Sequence, residues 1–305
     1  MILTAVGRPL PTLRGALTAT RNNSPSPLIG TLSSLQSVSF PGIQRMSDKV
    51  PFCCSCSKKI DVDEPFEGLS VVLLDIPWES ENTWSTFAAY FFILHIPLSF
   101  GGLSLIAQVL HQSALDPLTM AVSTTTLQIA ELLGALALLN YTVKPQHEFC
   151  SFFLGKLFSQ KSWVKKTIVG ILFLMALVLF TSILADKFVG PKDVNNPILK
   201  EILLHSPTSR SVCFFLYCVI APLLEETIYR GFLLTSLAST MKWQNAVIIS
   251  SCMFSVAHFS GENSLQLFVL GCILGSMYCW TGNLASSFTI HSVYNAAILL
   301  VTIMS

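Results

Sequence analysis

Seven long apolar runs follow one another from residue 84 onward. They cover about residues 84–110, 118–140, 167–185, 211–237, 244–260, 263–281 and 284–304. A helix needs about 20 apolar residues to cross a hydrocarbon core, and backbone in lipid has to satisfy its own hydrogen bonds. The pattern therefore predicts an all-α fold, a polytopic transmembrane helix bundle of about seven spans.

The composition agrees with a membrane protein. Hydrophobic residues make up 52% of the 305 residues and charged residues 11%, with a mean hydropathy of +0.62, whereas soluble domains carry about 25% charged residues. The net charge of +1 offers no basic surface for nucleic acid. We expect an integral membrane protein without a nucleic-acid partner, and the sequence leaves its oligomeric state open.

The segment before the first apolar run differs in charge and composition. Residues 1–47 contain no Asp or Glu, carry a few Arg residues and are rich in Ser and Thr, which is typical of organellar transit peptides. We expect a disordered targeting segment over 1–52, with an ordinary disordered tail as the alternative. The polar, rather acidic residues that follow predict a soluble linker over 53–83.

The same composition bears on localisation. Sparse Arg and abundant Ser favour a chloroplast over a mitochondrion, so we expect a thylakoid or inner-envelope membrane, with the endoplasmic reticulum as the alternative. The loop between the second and third runs has one acid, Glu148, and several basic residues: Lys144, Lys156, Lys161, Lys165 and Lys166. By the positive-inside bias this loop faces the stroma.

The nine cysteines give little sign of a metal site. Most are single residues in apolar runs, where a thiol is usually a small hydrophobe. Cys53 and Cys56, with Cys54 between them, form a Cys-x-x-Cys pattern, but a structural zinc site needs four ligands and no second pair follows at a suitable spacing.

Two polar residues interrupt the first and second runs. His95 lies near Pro97, and we interpret it as a hydrogen-bonded core residue at a bent turn. Glu131 is either a functional group or a packing residue hydrogen-bonded inside the bundle, because ionisable side chains at membrane depth are costly and seldom lack a partner. We divide the membrane part into N-terminal helices and loops, 84–210, and a C-terminal core, 211–304.

Charge is concentrated in the fourth run, at Glu225, Glu226 and Arg230. Each such residue at bilayer depth costs about 2.5–3.5 kcal/mol on insertion scales. Glu226 and Arg230 are four residues apart and share a helix face, while Glu225 points about 100° away. One carboxylate can therefore be paired and the other left reactive.

Two further pairs with the same spacing follow on later runs. They are Phe254 with His258, and His291 with Asn295. Each pair alone is explained by helix packing. Together with the carboxylates they provide a base, hydrogen-bond donors for an oxyanion and a means of activating water, which are the requirements for hydrolysing a peptide bond.

These residues resemble the CPBP family of intramembrane proteases, which includes CAAX-type prenyl-protein endopeptidases, bacteriocin-processing relatives and plant members. The family pattern is Glu-Glu-x-x-x-Arg, Phe-x-x-x-His and His-x-x-x-Asn, and the chain matches it in order over roughly 211–300. The resemblance implies that Glu225 and His258 activate the attacking water. It implies that His291 and Asn295 stabilise the oxyanion.

The resemblance also implies supporting roles for Glu226, Arg230 and Phe254. Glu226 and Arg230 orient the helix and balance its charge. The substrate it implies is a membrane-associated or prenylated protein. Some members of such a fold are non-catalytic scaffolds or chaperone-like proteins, so membership alone leaves activity open.

Two alternatives remain. Glu225, His258 and His291 are also a set of zinc ligands, but we favour a metal-independent site with no required cofactor, because the ligands lack a His-Glu-x-x-His helix. A secondary transporter ranks below both the protease and the scaffold, since transporters place broken helices in corresponding halves and these charges lie in the C-terminal third.

Overall fold

A computed structural model of the chain describes residues 76–149, 152–153, 163–189, 197–261 and 263–304. The predicted transit peptide over 1–52, the cysteine cluster at 53–56 and most of the predicted linker lie outside these residues. The described part is helical and contains no strand. The predicted all-α class is therefore confirmed.

The described helices follow the predicted apolar runs. We number them α1 Ser80–Val109, α2 Pro117–Tyr141, α3 Trp163–Val189, α4 Pro197–His205, α5 Pro207–Ala238, α6 Trp243–Ala257, α7 Ser264–Thr281 and α8 Leu284–Met304. Within the described residues, six of these helices are long and apolar enough to cross a membrane. The protein is a multi-pass membrane protein.

The predicted fifth span differs from the others. Its helix, α6, has 15 residues, which gives a length of about 22 Å and does not reach across a core of about 30 Å. The helix ends at Ala257, with His258 as its C-cap in a helical conformation, because the chain leaves the helical path at Phe259, which has a φ of 48°. The end of α6 therefore lies inside the bundle, and it places His258 there.

Local sequence signals explain several helix ends. Asp116 and Ser206 are N-caps whose side chains accept hydrogen bonds from the backbone N–H three residues later, and each is followed by a proline at the first helical position. At the other end of α7, Gly282 has a φ of 62°, a conformation in which glycine carries no steric penalty.

Helix α5 occupies the centre of the described part. It contacts α2, α6, α7 and α8, and its residues from Glu225 to Ala238 are all buried. A helix that is buried on all sides has to satisfy its polar groups within the bundle. The charged motif on α5 is therefore inside the protein and not at a lipid-facing surface.

The end of the predicted linker packs into this core. Trp78 is buried, its indole Nε1 donates to the Leu139 carbonyl at 3.2 Å, and its ring contacts Phe232 edge-on. The chain just before α1 is thus part of the bundle, although a hydrophilic pattern over 53–83 suggested otherwise.

Candidate active site

Widened, π-type turns flank the paired carboxylates on α5. The segments Leu216–Ile220 and Thr227–Leu234 have this form, and the regular turn Ala221–Glu226 lies between them. Turns of this type insert an extra residue into the helix and are frequent at functional sites. They change which residues share a face, so regular helical spacing alone does not describe this region.

Side chains bind the carbonyl groups of the widened turns. The Tyr229 carbonyl accepts from Ser250 Oγ at 2.8 Å, and the Arg230 carbonyl accepts from Thr235 Oγ1 at 2.8 Å. On the other widened turn, the Tyr217 carbonyl accepts from Asn295 Nδ2 at 2.8 Å. Buried carbonyl groups need such partners where helical geometry is disturbed. These bonds fix the α5 backbone on both sides of Glu225.

Glu226 is buried, and its carboxylate is shared by the guanidinium of Arg230 and the imidazole of His291. Arg230 Nη1 donates to Glu226 Oε1 at 3.0 Å, and His291 Nδ1 lies 2.9 Å from the same oxygen. The pairing with Arg230 is the one that the spacing predicts. The contact with His291 was not predicted, because it joins α5 to α8 across 65 positions of sequence.

Glu225 faces two imidazole rings. Its Oε2 lies 3.9 Å from His258 Nε2 and 3.7 Å from His291 Nε2. Both distances exceed hydrogen-bond range, and polar groups at such separations are commonly bridged by water. Helices α5, α6 and α8 therefore bring three of the four predicted catalytic residues to one point.

The other nitrogen of each ring determines what Nε2 can do. His258 Nδ1 lies 2.7 Å from the Phe254 carbonyl, which can only accept, so this nitrogen carries a proton. His291 Nδ1 lies beside the Glu226 carboxylate and carries a proton for the same reason. In the neutral ring, each Nε2 is then the acceptor nitrogen, directed at Glu225.

The two histidines nevertheless differ in their electrostatic surroundings. A carboxylate beside Nδ1 stabilises a charged imidazolium more than a neutral carbonyl does. His291 has the carboxylate of Glu226, and His258 has the carbonyl of Phe254. His258 is accordingly suited to accept a proton from water, and His291 to carry one and donate it.

Asn295 and Phe254 complete the predicted set. Asn295 uses one amide hydrogen on the Tyr217 carbonyl and lines the same cavity as Glu225, which leaves its second hydrogen for another acceptor. The Phe254 ring lies 4.6 Å from the Arg230 guanidinium carbon and packs against His258, with ring centroids 4.6 Å apart. Phe254 thus lies between Arg230 and His258.

A cavity of about 140 Å³ opens at these residues. It is large enough for several water molecules but smaller than the roughly 300–1,000 Å³ of a site that encloses a drug-sized ligand. Its wall includes predicted residues and also residues that the sequence did not single out, among them Thr124, Tyr217, Leu267, Leu270 and Tyr294. Gln128, three residues before Glu131, lines it as well.

The two isolated polar residues of the first spans meet beside this site. His95 Nδ1 lies 2.7 Å from Glu131 Oε1, so each is the other's partner. Tyr90, Ser99 and Gln128 also donate to the Glu131 carboxylate. The interpretation of His95 as a hydrogen-bonded core residue is confirmed, and Glu131 is hydrogen-bonded inside the bundle.

The fit of zinc to this site is partial. In His258 and His291, Nε2 carries no proton and Nδ1 donates a hydrogen bond, as is usual in histidines that bind zinc. Tetrahedral zinc with bonds of about 2.0–2.1 Å places its ligand atoms about 3.3 Å apart, and the atoms around Glu225 are more widely spaced. In the part of the chain that the structure describes, no three His, Cys, Asp or Glu side chains form a metal-binding group.

Comparisons with known proteins concern the part of the chain that carries this site. Residues 207–297 match the family described as type II CAAX prenyl endopeptidase Rce1-like. The membrane-embedded CAAX protease MroQ of Staphylococcus aureus (strain USA300) is 25% identical over 146 residues, covering 45% of this chain and 58% of that relative. The chain therefore matches less than two thirds of the relative. No solved structure matches.

Proposed function

We propose that this chain, whose residues 207–297 belong to the CPBP family of CAAX-type proteases, is an intramembrane endopeptidase. The observation that supports the proposal is the arrangement around Glu225. A buried carboxylate, with two imidazole Nε2 atoms directed at it from 3.7 and 3.9 Å, borders a cavity large enough for water. This is the geometry needed to hold and deprotonate a nucleophilic water.

In the proposed reaction, water bridges Glu225 and His258 and attacks the carbonyl carbon of the scissile peptide bond. The proton that the water loses is shared between Glu225 and His258. It is later given to the amine nitrogen as the C–N bond breaks. The oxyanion that forms receives hydrogen bonds from protonated His291 and from the second amide hydrogen of Asn295. Donors fixed in a buried site stabilise such a charge more than water does.

Glu226 and Arg230 act on this reaction through His291. The carboxylate stabilises the imidazolium of His291, and the guanidinium keeps the carboxylate ionised and in place. Neither group borders the cavity. We therefore assign both residues as positioning groups.

We propose a membrane-borne substrate, such as a membrane-associated or prenylated protein. The active-site residues lie in helices of a multi-pass membrane protein, and the cavity accommodates a short stretch of backbone but not a whole anchor. The rest of the substrate then stays in the bilayer or in water. A prenyl chain or a transmembrane segment beside the scissile bond meets this requirement.

The test compares membrane peptides in cells that express the wild-type chain or the Glu225→Ala variant. We expect uncleaved precursors to accumulate with Glu225→Ala, and the new termini of the wild-type products to identify the cleavage site. Glu201 is an exposed carboxylate on α4, so Glu201→Ala is the matched control and should resemble wild type. If Glu225→Ala fully restores a wild-type phenotype, the chain acts as a scaffold instead.

We propose that catalysis needs no metal, and a chelator tests this point. Activity that survives a zinc chelator supports the assignment of Glu225 and His258 as the groups that activate water. Loss of cleavage with the chelator, restored by added zinc, contradicts it. In that case Glu225, His258 and His291 hold the metal, which supplies an activated water.

We also propose a chloroplast membrane, on the basis of the composition of residues 1–47. A fluorescent protein fused to the C-terminal end of residues 1–83 should be directed to chloroplasts. Delivery to the endoplasmic reticulum would contradict this.

A further inference from the structure

We propose that His95, held by Glu131, positions His258 for the reaction by binding the end of α6. This inference rests on the proposed function. It concerns α1 and α2, which lie outside the residues matched to the family, and it makes His95 a positioning residue for a histidine more than 160 positions later in the chain.

The hold on His95 comes from a fully occupied carboxylate. Glu131 Oε1 accepts from Tyr90 Oη at 2.8 Å and lies 2.7 Å from His95 Nδ1. Glu131 Oε2 accepts from Gln128 Nε2 at 3.2 Å and from Ser99 Oγ at 3.4 Å. A carboxylate offers about four acceptor sites, so this arrangement fixes the orientation of the His95 ring.

The opposite nitrogen of the ring reaches α6. His95 Nε2 lies 3.3 Å from the Ala257 carbonyl, which belongs to the last turn of α6, where carbonyl groups lack partners within the helix. The ring therefore lies between a carboxylate and a carbonyl, and both are acceptors. Because a carbonyl can only accept, His95 Nε2 donates to Ala257 and supplies the end of α6 with a hydrogen-bond partner.

A second contact from α1 holds the residue on the other side of His258. Phe259 has a φ of 48°, which is uncommon for a residue other than glycine. Its ring stacks on Phe91 at 6.0 Å and meets Phe100 edge-on at 4.9 Å. Helix α1 thus binds both chain neighbours of His258.

The consequence concerns the geometry between His258 and Glu225. His258 is the C-cap of α6, and its backbone N–H and ring Nδ1 bind the Ser255 and Phe254 carbonyls of that helix, so its position follows the end of α6. A displacement of about 1 Å at a catalytic group can lower a rate by about 100-fold. The contacts from His95 and Phe259 prevent such a displacement.

Two substitutions separate the two contacts of the ring. In His95→Gln the amide nitrogen takes the place of Nε2 and keeps the bond to Ala257. In His95→Asn it takes the place of Nδ1 and keeps the bond to Glu131. If positioning of His258 is the role of His95, the glutamine variant retains activity and the asparagine variant loses it.

The measurement is the cleavage of an internally quenched, farnesylated peptide ending in Cys-aliphatic-aliphatic-Met by the full chain in proteoliposomes. We expect kcat within about threefold of wild type for His95→Gln and about 10–100-fold lower for His95→Asn, with KM unchanged in both. His205 is exposed on α4, and the same two substitutions there are the controls. Equal kcat values for the two His95 variants, or a change confined to KM, overturn the inference.

A measurement on the wild-type chain keeps the inference testable if the variants do not fold. Nitrogen-15 NMR of histidine-labelled protein should show that His95 Nε2 carries a proton and donates a hydrogen bond, and an Nε2 without a proton overturns the inference. A wild-type chain that leaves the peptide uncut contradicts the proposed function, and the NMR result still decides on the contact. If Glu225→Ala abolishes cleavage and the two His95 variants cleave at equal rates, the role of His95 is contradicted and the proposed function is not.

Discussion

Glu131 and Glu225 are both buried carboxylates with histidines beside them, and their surroundings differ in one respect. The contacts to Glu131 are hydrogen bonds of 2.7–3.4 Å from four side chains. The contacts from Glu225 to its two histidines are 3.7 and 3.9 Å, and they border a cavity. The same chemical groups form a closed network in one place and an open one in the other.

This difference has energetic consequences. A buried polar network whose members are all satisfied fixes the structure, and removing one member leaves the others without a partner. A carboxylate whose nearest cationic groups are beyond hydrogen-bond range contributes less to folding and remains available to a substrate. We therefore expect substitutions at the two carboxylates to affect different quantities, stability for Glu131 and rate for Glu225.

The largest effect should follow from removing the base beside Glu225. His258→Asn is expected to lower kcat by about 10²–10⁴-fold, since it removes the nitrogen that accepts a proton from water. The unfolding temperature in detergent should change little, because the amide nitrogen takes the place of Nδ1 and keeps the bond to the Phe254 carbonyl. Cleavage of the quenched peptide measures the rate and a thermal unfolding curve the stability, with His205→Asn as control. A variant that keeps its rate excludes His258 from the site.

Glu131→Ala should affect stability more than any other substitution in that cluster. It breaks the buried His95–Glu131 pair, and removing one partner of such a pair typically costs about 3–5 kcal/mol. The unfolding free energy in mixed micelles measures this cost. A stability loss from Glu225→Ala as large as that from Glu131→Ala contradicts the distinction between a closed and an open network.

Asn295 both holds the protein backbone, through the Tyr217 carbonyl, and borders the open cavity beside Glu225. Asn295→Ala removes an oxyanion donor, for which losses of about 10²–10³ in kcat are known, and it removes the hydrogen bond to the Tyr217 carbonyl, worth about 1 kcal/mol. We expect both effects together. A loss of stability with an unchanged kcat would restrict Asn295 to bracing the widened turn of α5.

The smallest effect should occur at Asp116, far from both clusters. The hydrogen bond from Thr119 holds the pKa of the Asp116 carboxyl below its ordinary value. A lowered pKa stabilises the fold at pH values above the unfolded pKa, and this contribution is lost as the pH falls through the folded pKa. Asp116→Ala should slightly lower the unfolding temperature at neutral pH.

The difference between wild type and Asp116→Ala should disappear at strongly acidic pH. Asp116→Asn retains a capping side chain and is the control. An equal difference at every pH would contradict the N-cap interpretation.

The motifs in the sequence located the open cluster and not the closed one. Three helical pairs at regular spacing, Glu226 with Arg230, Phe254 with His258 and His291 with Asn295, identified this cluster together with Glu225 beside the first pair, because local spacing is readable from sequence. The contact of His291 with Glu226 joins two helices and has no such signature. Phe254 and His258 are linked through a backbone carbonyl, which sequence does not show either.

The closed cluster was missed for a specific geometrical reason. Tyr90 and His95 are five residues apart, a separation that places side chains about 140° apart on a regular α-helix. A widened turn over Tyr90–His95 brings them to the same carboxylate. The predicted run extends past the end of α6 because the left-handed backbone at Phe259, an apolar residue, has no signature in the sequence.

The most direct test of the account is the cleavage rate of Glu225→Gln per folded molecule, measured in proteoliposomes on the quenched farnesylated peptide. This substitution keeps the shape of the side chain and removes its ability to accept a proton. The account predicts a folded protein with a rate at least about 100-fold below that of wild type. A folded Glu225→Gln protein that cleaves at the wild-type rate would contradict it.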